Sequence, residues 1–295
     1  MARAALRLAA NAPGELFVDS SCIDCETCRA LAPATFGRDD SAGQSVVSRQ
    51  PADPAELRRA LMALVACPTA SIGTHSKQDV TGAAAAFPEE VAPGAGVYYC
   101  GYAAESSYGA SSWLIRRPAG NVLVDSPRAA RPLLTRLDEL GSVKTLFLTH
   151  RDDVAGHEKL HARFGCERIL HRDDVGPSTA SVELKLSGRA PIRLADDLVA
   201  IPVPGHTRGS AALLYRDEFL FTGDHLWADE ETGLLGASPG VCWYSWPEQL
   251  RSLEALLAFR FTWILPGHGR RFHAASVDEM HAAITALLVR LRGQH

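Results

Sequence analysis

Four segments of the chain run from β-prone apolar residues straight into a His or an Asp: FLTH ending in His150, VPGHTRGS with His206, FTGDH with Asp224 and LPGHG with His268. Strands of one sheet deliver their terminal residues to a common edge, so these four side chains can converge on a metal ion. The same pattern constrains the architecture. SSWLIRR, NVLVDS, KTLFLTH, LVAIPVPGH, AALLYR and FLFTGD read as strands separated by helical stretches, an α/β arrangement. Ser245 with Glu248 and Ser276 with Glu279 form S-x-x-E capping boxes that open two later helices. No internal repeat is visible.

Three of the strand-end motifs resemble those of the metallo-β-lactamase fold superfamily, over residues 96 to 290. In that family PGHTxGS contributes a His ligand, TGD an Asp that can bridge two metals, and PGHG a further His. The resemblance implies a four-layered αβ/βα sandwich with its site at one edge of two sheets, and metal ligands at His206, Asp224 and His268.

The fourth segment departs from the family. Its signature T-H-x-H-x-D-H has two His for one metal and an Asp-His pair for the other, whereas this chain reads Thr149-His150-Arg151-Asp152-Asp153-Val154-Ala155-Gly156-His157. Asp152 stands at the second His position. Without a gap Val154 and Ala155 replace the Asp-His pair; with one residue deleted Asp153 takes the Asp place and Val154 the His place. A helix beginning near Val154 would set Asp153 and His157 four residues apart across one turn, where they can approach each other. The same stretch contains HEKLH, which matches the H-E-x-x-H pattern of zinc proteases. Against that, Val154, His157, Leu160, His161 and Phe164 share one helical face, which reads as a core-facing stripe with His161 buried.

Two His and one carboxylate with open positions suit non-haem iron, and extra carboxylate makes a site harder and more anionic, favouring iron or manganese over zinc. Persulfide dioxygenases of the same superfamily are similar here, with mononuclear iron on the positions matching His150, His206 and Asp224. Flavodiiron proteins place a carboxylate at the position matching Asp152. These resemblances imply an iron-dependent oxidoreductase in which Asp152 completes or tunes the metal site and Asp153 and His268 serve a second metal or proton transfer. The alternatives are a zinc hydrolase of esters, thioesters or amides, and a redox or iron sensor. Trp243, Tyr244 and Trp246 either wall a pocket near the site or pack ahead of the capped helix. Cys100 and Cys242 are either reactive thiols or, the commoner case, buried inert ones, and His225 reads as a residue behind the ligands.

The N-terminal quarter carries a separate signal. CIDCETCRALAP places Cys22, Cys25 and Cys28 at successive steps of three, and ACPTASI adds Cys67 followed by Pro68. Three closely spaced thiolates and a distant Cys-Pro suit a cubane better than zinc, whose sites pair two C-x2-C units or use His. Residues 12 to 76 resemble bacterial ferredoxins. The family's fourth Cys-Pro is Ala32-Pro33 here, which implies one [4Fe-4S] cluster on Cys22, Cys25, Cys28 and Cys67. GELFVD, SVVSR and ASIG read as strands, ETCRALAP and PAELRRALMALVA as helices.

The expected organisation is a small α+β ferredoxin-like domain at 1–80, an Ala/Pro/Gly-rich linker at 81–95 and the α/β domain at 96–295. A net charge of −4, with no long Lys/Arg block, argues against nucleic acid or an anionic membrane as partner. A small-molecule substrate and a redox partner protein are expected instead. No apolar stretch approaches the ~20 residues of a bilayer span, and the opening MARAALRLAANAPGE lacks the form of a secretory signal, so a cytoplasmic protein is expected.

Overall fold

The computed structural model describes residues 2–293. The chain divides into two compact units, Met1–Lys144 with Ala155–Phe164, and Thr145–Val154 with Gly165–His295. No helix among the described residues is long and apolar enough to cross a membrane.

The first unit opens with β1 (Leu16–Val18), α1 (Thr27–Leu31), β2 (Phe36–Asp39), β3 (Gln44–Val47), α2 (Pro54–Ala66) and β4 (Ile72–Thr74). β1 pairs antiparallel with β4, and β2 with β3. β2 is a strand the sequence reading passes over; it forms because the Asp39 to Gly43 turn folds Phe36–Asp39 back on Gln44–Val47, with Gly43 N donating to Asp39 O at 2.8 Å. α2 starts cleanly because Pro54 fits the first helical position and the Asp53 carboxylate accepts from Ala55 N and Glu56 N, both at 2.8 Å. Its Ala60, Leu61, Met62, Ala63 and Ala66 are buried. Residues 81–95 hold a short helix, α3 (Thr81–Ala85), and a two-residue strand, β5 (Glu89–Glu90). β5 begins an antiparallel run with β6 (Val97–Tyr99), β7 (Trp113–Ile115) and β8 (Val122–Val124). α4 (Arg131–Glu139) and α5 (His157–Phe164) complete this unit.

The second unit begins with β9 (Thr145–Phe147), which pairs parallel with β10 (Glu167–His171), itself parallel to β11 (Leu184–Leu186). A second sheet runs in the order β12 (Ile192–Ala195), β13 (Leu198–Pro202), β14 (Ala211–Tyr215), β15 (Phe219–Gly223), β18 (Trp263–Pro266), β19 (Phe272–His273). Between β15 and β18 the chain forms the hairpin β16 (Trp227–Ala228) and β17 (Leu235–Gly236), then α6 (Trp246–Ala255). α7 (Val277–Arg292) follows β19.

Every residue of β14 and β15 is buried, as central strands covered on both faces must be. One face meets a core in which Leu214, Leu220 and Ile264 join Leu253 and Leu256, and Met280, Ile284, Leu287 and Leu291 of α7. The α7 positions fall at steps of four, three and four, one helical stripe. Ser245 and Ser276 cap α6 and α7 as the sequence implies, accepting from Glu248 N at 3.4 Å and Glu279 N at 3.1 Å. The reciprocal half differs: the Glu279 carboxylate accepts from Ala275 N at 2.9 Å, and Glu248 is held by Arg189 and Arg251.

Two parallel pairings position the site. β15 and β18 run together from Phe219 opposite Trp263 to Gly223 opposite Pro266, so Asp224 and His268 emerge at one edge. β9 and β10 run together likewise, so the segments leading to His150 and to Asp174 leave in the same direction.

Candidate metal centre and cluster site

His150, Asp152, Asp153, His206 and Asp224 all lie in the second unit, and the structure brings them together. His150, Asp152 and His206 form one group of donor atoms within 4.8 Å of one another; His150, Asp153 and Asp224 form another. His150 Nε2 is 4.0 Å from Asp152 Oδ2, 3.9 Å from Asp153 Oδ2 and 3.8 Å from Asp224 Oδ2, and His206 Nε2 is 3.4 Å from Asp152 Oδ2 and 3.9 Å from Asp224 Oδ2. Donors bonded to one ion at about 2.1 Å stand roughly 3–4 Å apart. The spacing fits a shared cation.

The polar atoms themselves support that fit. His150 Nε2 and His206 Nε2 are buried and accept or donate no hydrogen bond among the described residues. Two buried ring nitrogens facing carboxylates in this way would be costly unless something else engages them. His206 offers its Nε2 lone pair because its Nδ1–H donates to the Val241 carbonyl at 2.5 Å, which fixes the tautomer. Burial first, then the neighbouring His206, pushes His150 down to about 4 against the opposing pull of Asp224 and Asp152. Its ring is therefore neutral, the form that binds metal, at ordinary pH.

The carboxylates are held as anions. Burial would raise Asp224, but His268 outweighs it through charge and hydrogen bonding, assisted by His150 and His206, and leaves Asp224 well below the usual carboxylate range. Asp152 is lowered by its contact with His206 and remains 44% exposed, on the open side of the group.

The close packing leaves no room for a side chain at two glycines. A Cβ on Gly267 would lie 2.7 Å from Asp224 Oδ1 and 2.8 Å from Asp153 Oδ2. One on Gly223, which has φ +51°, would meet Thr149 Oγ1 at 2.4 Å.

Two other predicted ligands are placed differently. His268 directs Nδ1 to both oxygens of Asp224, at 2.8 and 2.9 Å, and belongs to neither three-residue donor group. His157 is buried as the first residue of α5, in the other unit. That helix starts at His157, not near Val154, so Asp153 precedes it. His161 is half-buried, so the inward stripe rests on His157 and Leu160. His225 is fully buried, and burial followed by His206 holds it at about 3.

Sequence reasoning misses Asp174, the buried residue that ties the two ligand loops together. Its carboxylate accepts from Arg151 N at 3.0 Å, Thr207 Oγ1 at 2.5 Å and Gly209 N at 2.7 Å. It follows the end of β10, in RILHRDD, and that strand-end position was the only signal available.

In the first unit, Cys22, Cys25, Cys28 and Cys67 line one small cavity. Asp24 and Glu26 adopt φ of +56° and +63°, which lets the short loop curl so that its thiols face inward. Cys22 Sγ accepts from Asp24 N and Cys67 Sγ from Ser71 N, both at 3.4 Å. Burial pushes the Cys25 thiol up to about 11 and Cys28 to about 12. Thiols so buried become thiolates when they bind metal, which fits a cluster. A glycine is required opposite them: a Cβ at Gly109 would come within 2.5 Å of Cys25 Cβ.

Both parts of the chain have counterparts among known proteins. Residues 18–74 match the 4Fe-4S single cluster domain of ferredoxin I. A hydroxyacylglutathione hydrolase of Stenotrophomonas maltophilia is 30% identical over 118 residues, which are 39% of this chain and 46% of that protein. The counterpart from Serratia proteamaculans is 28% identical over 119 residues, 39% of this chain and 47% of its own length. The chain thus matches a little under half the length of these relatives. A metallo-β-lactamase family protein of Thermus thermophilus superimposes with a TM-score of 0.51 at 18% identity, covering 69% of this chain and 81% of that one. A B3 metallo-β-lactamase does so with a TM-score of 0.51 at 16% identity, covering 65% and 99%. The chain therefore joins an N-terminal single-cluster 4Fe-4S ferredoxin domain to the metallo-β-lactamase fold.

Proposed function

We propose that the protein is an iron-dependent oxidoreductase in which His150, Asp152, His206 and Asp224 hold a non-haem iron and the [4Fe-4S] cluster on Cys22, Cys25, Cys28 and Cys67 passes electrons. The observation that carries this reading is the position of Asp152, whose Oδ2 stands 3.4 Å from His206 Nε2, where the family signature has a histidine. Asp153 and Asp224 add further carboxylate oxygen in the second donor group, which shares His150. Oxygen-rich, anionic donors favour iron or manganese over zinc. When bound, such a metal supplies one-electron chemistry and open positions for a small substrate.

The residues around it have separate tasks. Val241 fixes the His206 ring, Asp174 holds the loops of His150 and His206, and His268 keeps Asp224 ionised. His268 and Asp153 are the groups suited to move a proton at Asp224, the first through its Nδ1. A cluster that transfers single electrons has a task beside a redox metal and none beside a hydrolytic one. A redox partner protein would then exchange electrons with the ferredoxin domain.

A second reading rests on the sequence matches to hydroxyacylglutathione hydrolases. Under it the metal is zinc, bound water is activated for hydrolysis of a thioester, and the cluster is structural. Anoxic purification, metal counting and EPR before and after dithionite separate the two. Iron beyond the cluster's own is expected; zinc with no second iron signal would overturn the oxidoreductase reading.

A further inference from the structure

The segment Val241 to Ser245 is tied to the loop of His206 by five hydrogen bonds. His206 Nδ1 donates to Val241 O at 2.5 Å, Trp243 N and Tyr244 N donate to His206 O at 2.8 and 3.1 Å, Ser245 N donates to Gly205 O at 3.0 Å and Cys242 Sγ to the same carbonyl at 3.0 Å. A segment so fixed would be expected to bury its apolar side chains. It does the opposite: Trp243 is 60% exposed, Tyr244 42% and Val241 41%. Only Trp246, at the start of α6, packs against the core.

Trp243 lies with its ring centroid 6.1 Å from that of His206, at an interplanar angle of 59°. An exposed indole costs solvation free energy, and here its backbone is pinned beside a metal-ligating ring whose position the chemistry needs. Rigid aromatic surface at the mouth of a polar site is the usual means of holding the apolar part of a ligand while polar groups hold the reacting part.

We infer that Trp243, with Tyr244 and Val241 beside it, is a substrate-contacting wall that selects molecules carrying a flat or extended apolar group next to the atom bound at the metal site. This inference rests on the metal site proposed above and names the class of substrate for it. Trp243 acts as a specificity residue; it takes no part in ligating the metal.

The test uses two metal-chelating probes with one head group, acetohydroxamate and benzohydroxamate, titrated calorimetrically into the full-length protein under anoxic conditions. Metal content is measured on every preparation. Stacking of the added ring is expected to make benzohydroxamate bind about three- to tenfold more tightly. Trp243→Ala should reduce that ratio to near unity with the metal content and acetohydroxamate affinity unchanged, and Trp243→Phe should restore most of it. Metal present with no preference for the aryl probe, or a preference that Trp243→Ala keeps, overturns the wall alone. Wild-type protein that holds no metal outside the cluster overturns the underlying site and the wall with it.

Discussion

His268 turns Nδ1 onto both carboxylate oxygens of Asp224, at 2.8 and 2.9 Å, and is the main counterweight to the burial that would otherwise neutralise that acid. Asp224 is thereby a group whose folded pKa lies below its unfolded one. Its stabilising contribution is complete above the unfolded value, near ~3.9, and is lost as pH falls through the folded value. His268→Ala lets burial dominate, so in protein stripped of site metal the acid-unfolding midpoint should move up by about half to one pH unit. Circular dichroism against pH measures it; an unmoved midpoint would show that His268 does not hold Asp224.

Asp152→His restores the donor that the family signature carries at this position. Replacing a hard oxygen by imidazole should shift competition between iron and zinc, supplied together during reconstitution, toward zinc by about tenfold. Elemental analysis after desalting gives the ratio. Unchanged selectivity would mean that Asp152 does not contact the metal.

Gly267→Ala introduces a methyl group where Asp224 Oδ1 and Asp153 Oδ2 lie 2.7 and 2.8 Å away. Both carboxylates must retreat, and overpacking of this kind costs about 1–3 kcal/mol. Site-metal affinity should fall at least about tenfold in chelator competition, with the cluster spectrum unaltered.

Asp174→Ala removes the acceptor shared by Arg151 N, Thr207 Oγ1 and Gly209 N. Since the loops of His150 and His206 are both anchored there, metal affinity should drop roughly 10- to 100-fold although Asp174 belongs to neither donor group. Asp174→Asn, which keeps one acceptor oxygen, should fall between the two. Equal affinity in all three proteins would refute the anchoring role.

Cys67→Ala takes away the ligand that is distant in sequence from the other three. The cluster absorbance should disappear and iron should fall by about four atoms per chain, with the His206-dependent metal retained. His206→Ala should give the converse: an intact cluster spectrum and loss of the second metal.

Much of the site was legible because it sits where chain patterns change. His150, His206, Asp224 and His268 each follow a strand whose apolar run is plain, and parallel pairing of β15 with β18 brings two of those ends to one edge. The cysteine spacing was legible for a similar reason, since the loop between Cys22 and Cys28 is too short to turn its thiols in many directions. Asp174 was not, because its role is set by backbone amides of loops 23 and 35 residues away. For Trp243 the sequence leaves a pocket wall and packing ahead of the capped helix both open, and its exposure, with that of Tyr244, is set by backbone hydrogen bonds to His206 that no local pattern announces. β2 escaped notice because Arg38 and Asp39 interrupt the apolar pattern.

The bonds between Val241 to Ser245 and the loop of His206 close a circuit of backbone. The chain leaves His206, runs through β14, β15 and the β16–β17 hairpin, and returns to it at residue 243. The turn of that hairpin, from Asp229 to Gly233, is fastened by its own Asp229 hydrogen bonds and is largely exposed. Insertions there would lengthen the circuit without moving either of its ends. The reach of the hairpin can therefore change around a histidine whose backbone stays fixed.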